Sequence, residues 1–158
     1  MPESRENLLQ MIEKVQSVND RHRELFEICD KEYRAMRPEL QDLSNRVVEL
    51  ALDEELKRRV LLWKNSDEHK RYKSAVDRIF AEAFPAYGNV FDILGEHVDQ
   101  IWADPLLSEK YAPVAATLRK FREQHRELTT LVNSLTPVWR NFGTGNRHRG
   151  RARLSNCT

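Results

Sequence analysis

The stretch "VAATLRKFREQHRELTTLVNSL", Val114 to Leu135, decides how the rest of the chain is read. Val114, Leu118, Phe121, His125, Leu128, Val132 and Leu135 are separated by four, three, four, three, four and three residues. An α-helix returns side chains to one side at that spacing, whereas a strand does so every second residue. Pro113 reads as the opening of this helix, because a proline in a first turn forfeits no hydrogen bond. Pro137 ends or kinks it.

The four-residue core His125–Leu128 recurs as His22–Leu25, again inside an apolar row. Leu8, Met11, Val15, Val18, His22, Leu25, Cys29 and Met36 keep the same alternating spacing, and Leu9, Ile12, Phe26 and Tyr33 widen the row. A row this wide suits a bundle better than a two-stranded coil. It predicts one long helix from about Ser4, as cap, to Met36. Pro38 then starts a second helix carrying Leu40, Leu43, Val47 and Leu50, which the acidic run at Asp53–Glu55 interrupts before Leu56, Val60 and Trp63. Asn65 or Ser66 caps a third helix that stops at Pro85, and Asn89 caps a fourth that stops before Pro105. No glycine precedes Gly88, and no segment alternates with period two. The expectation is an all-α, elongated up-down bundle of four to six helices over residues 1–139. An Arg-rich, basic C-terminal tail over 140–158 follows it.

Composition narrows the function. Charged residues make up 32% of the 158 residues, which suits slender helices with much surface. Cys29 and Cys157 have no metal or redox spacing, and no run approaches the length needed to span a bilayer. The chain reads as cytoplasmic, with the nucleus also open, without a membrane segment, cofactor motif or small-molecule site. Its net charge of +1 hides an asymmetry: the first 127 residues carry −4, and the last 31 carry five arginines and no acid.

Several residues are candidates for chemistry. His22 and His125 each stand in an apolar seam, where a histidine either titrates near neutral pH or serves as a polar residue that fixes register. Neither belongs to a Glu-x-x-His, His-x-x-x-His or His-Glu-x-x-His pattern, so no metal site is expected. Arg119 and His125 are six residues apart, a spacing that resembles the Arg-x(4–6)-His motif of the HEPN-type helical ribonucleases. That resemblance implies a small all-α, metal-independent nuclease. In it, Arg and His line a cleft, commonly at a dimer interface, and promote in-line attack by an RNA 2′-hydroxyl. Lys120 follows Arg119 where that family often has a small polar residue. On an unbroken helix the two side chains point about 120° apart.

The tail offers Arg140, Arg147, His148, Arg149, Arg151 and Arg153, interleaved with small residues. Arginine engages phosphates in bidentate fashion, so these are the candidate contacts to RNA or DNA, with Trp139 and Phe142 placed to stack on bases. Trp63, Trp102 and Tyr111 lie near expected helix ends and are the candidate interface anchors. The leading expectation is a non-catalytic helical scaffold or adaptor that contacts a protein partner or a second copy through helix–helix packing. The alternatives are nucleic-acid binding through the tail and the HEPN-like ribonuclease.

Overall fold

A computed structural model describes residues 3–50 and 52–136. It is helical throughout, with no strand among the described residues. In chain order the helices are α1 (Arg5–Arg21), α2 (Arg23–Asn45), α3 (Val47–Leu50), α4 (Glu54–Lys64) and α5 (Asp67–Arg78). A π-helical segment (Ile79–Ala83) follows, then α6 (Phe84–Tyr87), α7 (Val90–Glu96), α8 (Val98–Ala103) and α9 (Pro105–Ser134). The all-α expectation holds. The expected four to six helices are replaced by nine α-helices and the π segment among the described residues. The tail over 140–158 lies outside them.

The finer division arises at identifiable residues. The expected rod from Ser4 to Met36 breaks at His22, whose backbone (φ −110°, ψ 17°) leaves the helical region. Ser4 caps α1 as expected, its Oγ accepting from the Asn7 N–H at 3.1 Å. The chain then runs helically through Pro38 rather than restarting there. Pro38 is exposed, and so is Arg34, whose carbonyl loses its amide partner and can turn to water. Buried Met36, Leu40 and Leu43 hold the opposite side of α2 in place.

Pro113 behaves the same way. It is exposed inside α9, which opens eight residues earlier than expected, at Pro105. The opening is made by Asp104, whose Oδ1 accepts from the Leu106 and Leu107 amides at 3.0 and 3.4 Å. Asp53 does the same for α4, accepting from Glu55 and Leu56, so the acidic run is a helix start. Ser66 Oγ accepts from the His69 amide and starts α5. Asn89 precedes α7, but its side chain makes no capping hydrogen bond. The π segment ends where the Phe84 N–H reaches back to the Ile79 carbonyl, with Pro85 in the first turn of α6, where no donor is needed.

The chain forms two compact units. The first joins Met1–Cys29 to Lys73–Arg122, and the second joins Asp30–Tyr72 to Glu123–Thr158. In the first, Leu8, Ile12 and Val15 of α1 are buried with Ile79, Leu94, Ile101, Leu107 and Leu118. An aromatic group thickens that core. Phe26 meets Phe121 edge-on at 5.6 Å, Phe84 meets Phe121 at 6.1 Å and Tyr87 meets Phe91 at 4.5 Å. Buried Asn19 accepts the Tyr87 hydroxyl proton and donates to the Val114 carbonyl. Burial pushes the Tyr87 phenol up to about 12, so it stays a donor.

In the second unit, Met36, Leu40 and Leu43 are buried with Leu56, Val60, Trp63, Leu128, Leu131 and Leu135. Leu131 lies off the strict seven-residue row and is buried, while Val132 in the row is only half-buried. The buried face of α9 is therefore wider than a coiled-coil seam. Polar bonds tie α2 to its neighbours here. Glu127 accepts from the Tyr33 hydroxyl at 3.0 Å and from Arg37. Arg71 reaches buried Glu32 through two nitrogens at 3.2 and 3.3 Å.

Candidate functional site: exposed apolar and basic faces

The structure distributes the sequence candidates rather than gathering them. His22 belongs to the first unit. Its ring Nδ1 donates to the Val18 carbonyl at 2.9 Å, and the same residue's amide reaches Val18 and Asn19. The ring thereby closes the C-terminal turn of α1. His125 belongs to the second unit and is half-buried, its Nδ1 sharing a hydrogen bond of 3.2 Å with the Tyr72 hydroxyl. Burial lowers the pKa of His125 below its ordinary value, so the neutral imidazole is favoured near pH 7. Arg119 is exposed on α9, six residues before His125 and about 120° away around the helix axis. Among the described residues no group of three or more His, Cys, Asp or Glu side chains is placed to hold a metal ion.

The three proposed anchors differ. Trp63 is 6% exposed in the second unit's core and lies against the His69 ring at 4.5 Å. Trp102 is 49% exposed in the first unit and meets Tyr111 edge-on at 5.3 Å. Burial raises the Tyr111 phenol. Beside this pair, Arg5 joins the capping Asp104 at 2.8 Å. Burial acts to raise the Asp104 carboxyl, but Arg5 and the Leu107 and Leu106 amides outweigh it and hold it below its usual range. Arg140, Arg147, His148, Arg149, Arg151 and Arg153, with Trp139 and Phe142, lie outside the described residues.

Comparison with known proteins gives no match. No family model, no curated protein and no solved structure is similar to this chain. The residues themselves must therefore carry the reading.

Residues that sequence reasoning passed over are the most exposed large apolar side chains of the second unit. Val48 on α3 is 87% exposed, Leu52 in the following turn 90%, and Leu62 on α4 65%. Leu56, Val60 and Trp63 occupy the buried side of α4, and helix geometry puts Leu61 and Leu62 on the far side. The signal was present in "VVELAL", Val47–Leu52, where five of six residues are apolar. One buried face cannot take them all. No helix among the described residues is long and apolar enough to cross a membrane.

Proposed function

We propose that the chain is a non-catalytic helical scaffold or adaptor, acting through helix–helix contact with a protein partner or a second copy of itself. The observation that carries this reading is the exposed set Val48, Leu52 and Leu62, large aliphatic side chains left in water by the second unit. Covering such a side chain fully is favourable by about 1.5–3 kcal/mol, before the costs of association are subtracted. Scattered exposed leucines are ordinary. Three on one short helix, its following turn and the next helix support a contact face. Trp102, half-exposed on the first unit, offers an aromatic side chain of the kind that dominates interfaces.

The test is a full-length chain carrying Val48→Glu and Leu62→Glu. Both side chains are exposed, so the melting temperature should stay within a degree or two of the parent. Sedimentation velocity over a wide concentration range reads self-association, and the double variant should shift the chain toward monomer. For a defined partner, the same variant should weaken binding at least tenfold. Association that survives the double substitution unchanged removes this face from the proposal.

A further inference from the structure

Trp102 keeps 49% of its surface in water. Tyr111 of α9 meets its ring edge-on, at 5.3 Å between centroids and 68° between planes, so the indole is held from one side and the rest stays open. The charges on either side of it in sequence are almost all of one sign. From Ile79 to Glu109 the chain carries six acids and no lysine or arginine. Two of the six are neutralised, Glu82 by Arg78 and Asp104 by Arg5. Asp92, Glu96, Asp99 and Glu109 are exposed and make no ion pair among the described residues. Asp99 stands three residues before Trp102, so the two side chains are neighbours on α8. Asp92 and Glu96, four residues apart, are neighbours in the same way on α7. His97 and Lys110 are the opposing basic groups. His97 is half-buried, and Lys110 projects about 100° around α9 from Tyr111. All these residues belong to the first unit.

We infer that this face docks an arginine-rich segment of a partner protein, one guanidinium lying on the Trp102 ring with Asp99 as its counter-ion. The inference rests on the adaptor reading and gives the first unit a partner of stated chemistry. A tryptophan ring attracts a cation within about 6 Å of its centroid, and a guanidinium can stack on it while its N–H edge stays free for a carboxylate. That carboxylate is supplied one helical turn away by Asp99. Asp92 and Glu96 extend the negative field to further arginines and favour their approach. The same acids oppose other ligands. Nucleic acid and anionic lipid would bring phosphates against carboxylates that no cation neutralises. An apolar segment would cover the indole and leave the acids without a complement. A metal ion finds no cage, because no three acids are grouped to hold one among the described residues.

The experiment titrates the full-length chain into a labelled arginine–glycine repeat peptide and follows fluorescence anisotropy. The expected result is saturable binding that weakens as salt is raised. Trp102→Leu keeps an apolar side chain but removes the ring, and should weaken binding about two- to fivefold. Trp102→Phe, which restores a ring face, should lose less. Asp99→Asn should weaken binding about two- to fivefold at low salt. Glu123→Gln makes the same change of charge at an exposed acid of the second unit and should leave affinity unchanged. Absence of binding, unchanged affinity in Trp102→Leu, or equal losses for Asp99→Asn and Glu123→Gln overturns the inference. So does equal binding of a glutamate–glycine peptide. Binding that appears only after Arg140, Arg147, Arg149, Arg151 and Arg153 are changed to glutamine would assign the face to the chain's own arginines, and overturns the partner reading as well. The melting temperature of each variant separates lost binding from lost fold, and exposed Asp99 still tests the face if Trp102→Leu unfolds. The sedimentation test of Val48 and Leu62 reads a different surface, so failure here and failure of the adaptor reading are distinguishable.

Discussion

The two His-Arg-Glu-Leu segments have the same four residues and almost opposite structural roles. At His22–Leu25 the histidine ends one helix, and its carbonyl accepts the Leu25 and Phe26 amides that begin the next. At His125–Leu128 the same letters lie inside an uninterrupted helix, and the histidine turns to a tyrosine on α5. The arginines differ too: Arg23 pairs with Asp20 at 2.7 Å, while Arg126 pairs with no carboxylate among the described residues. The glutamates differ again. Glu127 receives Tyr33 and Arg37, and Glu24 lies exposed within electrostatic reach of Arg78. Only the leucines agree, both being buried. Burial follows the period of the helix, whereas the fate of a polar side chain depends on which element is packed beside it.

The largest expected effects test that agreement. Leu25→Ala and Leu128→Ala should each lower stability by about 2–5 kcal/mol, read from urea unfolding curves. A cost below about 1 kcal/mol at one site would show that the two leucines are not equivalent after all. The glutamates should then separate. Glu127→Gln should lower the urea midpoint, and Tyr33→Phe, which removes only the hydroxyl, should cost about 1 kcal/mol. Glu24→Gln should stay within about 0.5 kcal/mol of the parent. Equal losses at Glu24 and Glu127 would break the distinction.

The histidines differ in what acid should do to them. The folded-state pKa of His125 is depressed by burial, so the unfolded chain binds its proton more readily. The stability tied to its neutral form is therefore complete above the unfolded value of about 6.5, and is lost as pH falls through the lower folded value. Carboxylates held low, such as Glu82 beside Arg78, act further down the pH scale. Thermal melts between pH 7.5 and 5 should show a decline that His125→Gln reduces. A decline of undiminished slope in that variant would place the titrating group elsewhere.

These contrasts mark how far the sequence could be read. The apolar period announced α1, α2 and α9, because burial of Leu8, Val15, Leu118 or Leu128 is a property of the helix that carries it. The caps at Ser4 and Ser66 were legible for the same local reason. The break at His22 was not, since the apolar row continues through it without a change of phase. Pro38 and Pro113 read as helix starts, yet both lie on the watery side of a continuing helix, and sequence does not say which side faces water. The division into two units was hidden as well, because α2, α5 and α9 each contribute residues to both. Among the site candidates, Trp63 and Trp102 lie next to helix ends as expected, whereas Tyr111 lies inside α9 because that helix opens at Pro105. The exposure of Val48 and Leu52 could not be foreseen, because an apolar run looks like core until its neighbours are known. Nor could it be foreseen that Arg119, Arg122 and Arg126 make no ion pair among the described residues: whether an arginine finds a carboxylate across helices is decided by packing.

The arginines give the smallest expected effect on stability. Both Arg23 and Arg126 are exposed, and exposed ion pairs contribute little, so Arg23→Gln and Arg126→Gln should each change stability by less than about 0.5 kcal/mol. The pair of Arg23 with Asp20 is local, three residues apart on exposed surface, so its loss should be no more visible in urea unfolding than the loss of the Arg126 charge. A cost above about 1 kcal/mol at Arg23 with none at Arg126 would give that pair a weight exposed pairs rarely have. The two copies would then differ in stability through their surface charges as well as through their glutamates.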